Sequence, residues 1–280
     1  MKTRVMAICV VVALLVCSVP VRADWQPGDS HKMHYPQLPD PSGWDVCATF
    51  REDPLWTVPH AMVLADDWQC SQTGQVGGIH FWGSWKGDNI GEIIQFDISI
   101  YEDIPADPAG GIPYSRPGSE LWHMISYEYN GGGSHVFDVL EMAPSDQGWY
   151  DPYTGEYEAN NHQRWFQYNL VDIPNPFIQT EGEIYWLAIE AWVNPFPIME
   201  LEWGWKSSLD HWNDDAVWGE RERGQQWGDP IDGWTEMYEP PDFDQSLDLA
   251  FVIQIPEPAT IIMILGGSLS GLAGIIKKRK

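Results

Sequence analysis

The feature that most limits what this chain can fold into is a series of short segments whose apolar and polar residues alternate with period two. In Glu92–Glu102, Ile94, Phe96, Ile98 and Ile100 fall on one side, and Gln95, Asp97, Ser99 and Tyr101 on the other. An extended strand sends successive side chains to opposite faces, so this pattern marks a strand with one face in a core. Leu247–Ile255 repeats it with Leu247, Leu249, Phe251, Ile253 and Ile255. Gln163–Ile173 does so with Phe166, Tyr168 and Leu170. Glu183–Val193 turns Tyr185, Leu187, Ile189 and Ala191 inward and leaves Trp186 and Trp192 on its other face. Ala61–Trp68, Val76–Trp85, Leu121–Tyr129, His135–Glu141, Leu201–Lys206, Ala216–Arg221 and Trp234–Tyr238 complete a set of about eleven strands. Turn-forming clusters separate them, among them Asp107–Gly111, Arg116-Pro117-Gly118, Asn130–Gly133 and Asp151–Gly155. No stretch sustains a helical period with caps. The pattern predicts an all-β chain with a single jelly-roll-like β-sandwich over residues 44–255.

The two ends read differently. Lys2 and Arg4 precede an apolar run, Val5 to Val16, and Val21-Arg22-Ala23 supplies a small-x-small cleavage site. Residues 1–23 are therefore read as a signal peptide, with the mature chain starting at Asp24. Residues 24–43 are polar and proline-spaced and read as a linker. At the other end, Pro256-Glu257-Pro258 stops any preceding strand, because proline has no N–H to donate. The uncharged stretch 259–276 that follows would make a helix of roughly 27 Å, just enough for a thin bilayer core. Lys277-Lys278-Arg279-Lys280 would keep that helix's end on the cytoplasmic side.

The triplet Pro256-Glu257-Pro258, the apolar helix and the basic end, in that order, resemble the PEP-CTERM sorting signal of bacteria. The resemblance covers 25 of 280 residues, Pro256 to Lys280. It implies an exosortase-type processing enzyme as partner, cleavage near Pro258, and membrane contact through the helix until then. The alternative is a plain C-terminal anchor. Two tryptophan-rich passages carry a second resemblance. One is Ala65-Asp66-Asp67-Trp68 with Ile79-His80-Phe81-Trp82-Gly83-Ser84-Trp85. The other is Glu202-Trp203-Gly204-Trp205-Lys206 with His211-Trp212-Asn213-Asp214-Asp215-Ala216-Val217-Trp218. With Leu247-Asp248-Leu249-Ala250-Phe251 they resemble a domain family of unknown function found in other PEP-CTERM proteins. That likeness implies a β-sandwich and no activity.

Export bears on the cysteines. Cys9 and Cys17 would leave with the signal peptide, and Cys47 and Cys70 remain. An even pair in an oxidising compartment leads us to expect a Cys47–Cys70 disulfide. Closing that loop of about 22 residues would add roughly 3 kcal/mol. Two buried thiols are the other reading.

Charge then excludes a class of partner. Between Asp24 and Ile255, forty acids stand against eight bases, a net charge of −32. Such a surface repels phosphates and anionic head groups, so nucleic acid is excluded as a partner. A neutral glycan or a cation is compatible with it.

Seventeen tryptophans direct attention to sugars, because indole faces stack on the polarised C–H groups of a pyranose. The binding candidates are Trp82, Trp85, Trp203, Trp205 and Trp212. Asp66, Asp67, Asn213, Asp214 and Asp215 are the polar partners that would meet hydroxyls. The alternative is that these tryptophans fill a core. No cofactor is called for, but the acid pairs are where Ca2+ would bind, although none has the spacing of a complete calcium loop. No H-E-x-x-H, G-x-S-x-G or P-loop motif occurs in the mature chain, so no catalytic residue is assigned. The eight histidines are scattered and read as packed or surface residues. The expectation is an exported, surface-sorted protein of the cell envelope or extracellular matrix, with an extracellular polysaccharide as ligand. A glycan-active hydrolase, built on two facing carboxylates, and a purely structural matrix protein are the alternatives.

If the tail is a processing signal, the form at the cell surface lacks residues 261–280. Mass spectrometry of the surface-exposed pool tests this, and peptides carrying Lys277 or Arg279 would show a retained anchor.

Overall fold

The computed structural model describes residues 24–51, 60–127, 135–194, 201–221, 231 and 233–255. The signal peptide, the Pro256-Glu257-Pro258 triplet and the 259–276 helix lie outside the described residues. Among the described residues no helix is long and apolar enough to cross a membrane.

Eighteen strands form among them. In chain order they begin with β1 (Trp44–Cys47), β2 (Thr49–Arg51), β3 (His60–Gln69), β4 (Gly74–Gln75), β5 (Gly78–Trp85) and β6 (Ile93–Ile104). There follow β7 (Arg116–Tyr127), β8 (His135–Val136), β9 (Asp138–Glu141), β10 (Gln147–Asp151), β11 (Glu156–His162) and β12 (Trp165–Val171). The last six are β13 (Ile178–Gln179), β14 (Ile184–Val193), β15 (Trp203–Lys206), β16 (Val217–Arg221), β17 (Thr235–Glu236) and β18 (Phe251–Gln254). One eight-stranded sheet runs β11-β10-β1-β15-β5-β12-β9, with β18 also paired to β5. A second eight-stranded sheet runs β17-β16-β3-β14-β6-β7-β8, with β2 wedged between β3 and β14 at one end, and β4 and β13 form a separate two-stranded pair. The parallel pairs β1–β10, β2–β14 and β7–β8 depart from an antiparallel jelly roll.

The sheets face each other across an aromatic core. Phe96 of β6 lies 4.9 to 5.2 Å from Phe137, Phe81, Trp203 and Tyr168, all edge-on. Such contacts add about 0.5–1.5 kcal/mol per pair beyond area burial. The inward sets of β12, β14 and the 247–253 segment are buried as their alternation requires. Ile94 is not: it is exposed while Ile93 is buried, because the β14–β6 register shifts between Gln95 and Ile93. A bulge of this kind moves one residue to the other face. Indoles are seated on glycines: a Cβ at Gly83 would collide with the Trp203 ring, and one at Gly148 with that of Trp44.

Residues 24–43 are not a free linker. Trp25 and Met33 are buried, and Met33, Gln37 and Pro39 make bridges to Cys70, Phe251 and Ser208. Polar side chains do not prevent packing when the backbone finds ladder partners.

One connection shapes the first sheet. β11 and β12 have four strands between them, yet only Gln163 and Arg164 join them. Flat, five strand spacings would separate them by roughly 24 Å. The link spans at most about 11 Å. The sheet therefore rolls, and no ladder joins β11 to β12 to close it. His162 of β11 thereby reaches across the roll to Ser84 of β5, Nε2 to Oγ 2.6 Å.

The inside of the roll is polar and buried. Asp45 Oδ2 lies 3.0 Å from His162 Nε2 and accepts a 3.0 Å bond from the Lys206 ammonium, all three side chains being buried. Burial alone would raise the Asp45 carboxyl, but the Lys206 charge and His162 more than offset this and hold it below its ordinary value. Trp149 roofs the same face, where a Cβ at Gly204 would stand 2.8 Å from its ring.

Cys47 shares this inner face of the roll with Asp45, two residues away on β1, whereas Cys70 follows β3 in the opposite sheet. The expected disulfide is thus corrected. Neither cysteine is in a disulfide and both are buried, and Cys70 Sγ donates to Gln72 O at 3.3 Å. A thiol reagent should label two cysteines of the mature chain after denaturation and none before; an intact disulfide in the denatured chain would contradict this.

Removing Asp45 strands a buried ammonium. Asp45→Asn should cost about 3–5 kcal/mol at neutral pH, read from urea unfolding. The wild-type contribution is present above the carboxylate's unfolded pKa of about 4 and is lost as pH falls through the lower folded value. The variant should therefore show a shallower loss of stability below pH 4.

Candidate functional site

Asp66 and Asp67 are successive residues of β3, so they project to opposite faces of the second sheet. Asp66 shares the inner face with Leu64 and Trp68. Its carboxylate accepts from Gln37 Nε2 (3.0 Å), Leu249 N (2.6 Å) and Asp67 N (2.7 Å). Three donors on one buried carboxylate make it a staple between the 24–43 segment, β3 and the approach to β18. Asp67 shares the outer face with Val63 and Ala65, beside Trp186 and Trp234. Its Oδ2 accepts from Asn213 Nδ2 at 2.6 Å, and its buried Oδ1 meets no donor. Burial pushes both carboxyls well above the ordinary aspartate range, and Asp248 pushes both further.

The loop after β15 closes over this end of the sandwich. Asn213 adopts a left-handed backbone, φ 61°, which asparagine tolerates better than most residues. Trp212 N donates to Asp248 Oδ2 at 2.7 Å, Ser115 N to Asp214 Oδ2 at 3.0 Å, and Ser246 Oγ to Asp215 Oδ1. Trp212 is half-buried and stacks on His34, centroids 4.1 Å apart. Tyr35 packs edge-on against His34 and donates to His211 O at 2.6 Å. Burial, then the nearby His31, lowers His34 to about 4, so its ring is neutral and its Nδ1 accepts from Gln69 N at 3.2 Å. The Asp248 carboxylate, 3.8 Å from its Nδ1, raises His211.

Six of the ten sequence candidates therefore meet here: Trp212, Asn213, Asp214, Asp215, Asp66 and Asp67. Trp82, Trp85, Trp203 and Trp205 do not. Trp203 and Trp205 lie between the sheets, where their indole N–H groups donate to Tyr168 Oη at 3.0 Å and Ala250 O at 2.9 Å. Trp82 packs edge-on against Trp25, and Trp85 is buried in the same core. None of the four offers an open ring face to a ligand. Sequence reasoning missed Tyr35, His34, Asp103, His211 and Asp248, which no local signal could place. Tyr35 and His211, for example, are 176 residues apart in the chain.

The aromatic core, the roll and this acidic end all fall within residues 33–254, which match one family model. The chain belongs to the DUF7901 family, a domain of unknown function. Curated proteins and solved structures gave no match. The match begins at Met33 and so takes in most of the segment that the sequence pattern reads as a linker.

Three other places in the DUF7901 domain carry chemistry-bearing groups. A half-open groove of about 420 Å3 lies beside the acidic end, between the β6–β7 hairpin and Ile231, Gly233 and Trp234. Its lining supplies one carboxylate, Glu102, and one cation, Arg116, whereas glycoside hydrolysis takes two facing carboxylates. In the roll, Ser84, His162 and Asp45 have the residue types of a catalytic triad. Ser84 Oγ and Asp45 Oδ2 both lie on Nε2 of His162, though, so the ring cannot relay a proton from one to the other. At the roll's end Cys47, Asp151 and Glu202 bring ligand atoms within 4.8 Å of one another. There the Lys86 ammonium already sits 3.0 Å from Glu202, and Asp151 Oδ1 accepts from Tyr153 N at 3.0 Å.

Proposed function

We propose that the chain is an exported protein of the cell envelope or extracellular matrix, sorted by its PEP-CTERM-like tail, whose DUF7901 domain binds a neutral glycan at the Trp212 end. The leader and tail motifs support the address. The half-buried Trp212 ring carries the binding reading: it is braced on His34 beside Tyr35 and followed by the exposed Asn213 and the carboxylates of Asp214 and Asp215. A rigid aromatic next to fixed acceptors and an amide suits a ring with apolar C–H faces and hydroxyl edges. The −32 charge of the domain favours a neutral polymer over an anionic one.

The burial of Trp82, Trp85, Trp203 and Trp205 favours a second reading, a purely structural matrix protein. A glycan array probed with the purified mature chain, followed by titration of the retained sugar, separates the two. Trp212→Ala should weaken binding at least about tenfold, near 1.4 kcal/mol, with the melting temperature little changed because the ring is half-buried. If no neutral glycan is retained, the structural reading stands.

A further inference from the structure

On the outer face of the second sheet, Trp186 has a carboxylate on each neighbouring strand. Trp186 pairs with Asp67 of β3 on one side and with Tyr101 of β6 on the other, so it lies between Asp67 and Asp103, the next residue of β6 on that face. Trp186 Nε1 donates to Asp103 Oδ1 at 2.9 Å. Asn213 and Asp214 are consecutive residues, one bonded to Asp67 and the other to the backbone of Ser115. Each carboxylate thus has one oxygen pinned by a donor: Asn213 Nδ2 on Asp67, Trp186 Nε1 on Asp103, Ser115 N on Asp214.

The second oxygen of Asp67 is the decisive atom. The Asp67 side chain is fully buried, and its Oδ1 meets no hydrogen-bond donor. Among the described residues no lysine or arginine forms an ion pair with Asp67, Asp103 or Asp214; Arg116 acts on Asp103 only at longer range. A buried carboxylate oxygen with neither donor nor counter-cation is costly, whereas a bound hard cation would satisfy it directly. The Cys47 set is more tightly gathered but already has its ammonium; this one has none.

We propose that Asp67, Asp103 and Asp214 hold a calcium ion above the Trp186 indole. Calcium takes six to eight oxygens, so backbone and water oxygens complete the shell. The three carboxylates do not bring their ligand atoms within 4.8 Å of one another, so they must close on the ion to hold it. Binding draws them together and locks the 213–214 loop onto β3 and β6. The site is independent of glycan binding at Trp212, although the same loop carries both.

The test uses the purified full-length chain with Ca2+ and with Tb3+ as a luminescent probe. Tryptophan excitation should sensitise Tb3+, because Trp186 touches a ligand, and Ca2+ should quench that emission competitively. The expected Kd for Ca2+ is about 10⁻⁴–10⁻³ M, the range of extracellular modules. Asp67→Asn and Asp103→Asn keep the side-chain shape and remove one charge, so both should fold and lose at least tenfold in Ca2+ affinity. A Trp212→Ala chain should keep its Ca2+ affinity within a few-fold, which separates failure here from failure of the glycan reading. No binding up to about 10 mM Ca2+, or unchanged affinity in both asparagine variants, would overturn the proposal. So would a wild-type chain whose stability ignores Ca2+ and rises as the pH drops from 7 to 5, with Asp67→Asn abolishing that rise. A carboxyl with a raised folded pKa takes up a proton on folding, so that result would mean Asp67 is simply protonated among Asp66, Asp103, Asp214 and Asp248.

Discussion

The two-residue link between β11 and β12 is the constraint on which the first sheet depends. Its two amides are held by a single side chain. Gln163 N reaches both oxygens of Asp88 at 3.1 Å, and Arg164 N reaches Oδ1 at 2.8 Å. The short 3-10 turn Lys86–Asp88 that presents this carboxylate continues directly from β5, and Gly87 N donates to Asn161 Oδ1 at 2.6 Å. The turn therefore ties the far edge of the sheet back to its middle. Once the sheet is rolled, the face of β1, β5 and β15 that would have met water becomes an interior. That interior needs internally matched charges, which Asp45 and Lys206 provide, with His162 as a further hydrogen-bond partner of Asp45.

Tryptophan and aspartate have divided the molecule between them. Most of the indoles discussed above serve as bulk: Trp203, Trp205, Trp68 and Trp149 are fully buried, some with their N–H groups satisfied by neighbours. Large flat rings suit a sandwich whose two sheets must be bridged by few side chains. The acids gather at one end, where the loop after β15, the segment before β7 and the 246–248 segment converge. Burial and mutual repulsion there raise Asp66, Asp67, Asp103 and Asp215 together. A chain dense in acids has concentrated part of its repulsion at one place rather than spreading all of it over the surface.

The strands most legible in the sequence, β6, β12 and β14, carry large apolar residues at every second position; both faces of each are largely buried, so it is the set facing the other sheet that writes the period-two pattern. β10 and β11 escaped because their faces are polar or enclosed: Glu-Tyr-Glu-Ala-Asn-Asn-His shows no apolar alternation, and only the turn between them, Asp151–Gly155, was visible. Ile94 was misplaced by a bulge that composition cannot reveal. The 24–43 segment looked like a linker because its contacts are mostly backbone bridges, to which side-chain polarity is indifferent. Cys47 and Cys70 are near in sequence but lie in opposite sheets, which spacing cannot show. At the acidic end, the pairs Asp66-Asp67 and Asp214-Asp215 drew notice by their density, whereas Asp103 and Asp248 became partners only through long-range folding.

The seating of indoles on glycines also has a consequence on the scale of descent. Gly83 and Trp203, Gly204 and Trp149, and Gly148 and Trp44 each share one volume, so neither member can be enlarged or replaced without regard to the other. In each pair the partners lie on different strands and at least 55 residues apart in the chain. Such positions should be inherited as couples: a branch of the family that loses the tryptophan frees its glycine to vary, and one that gains a side chain at the glycine must first have given up the ring. Alignments would then show these sites changing in step from one strand to another.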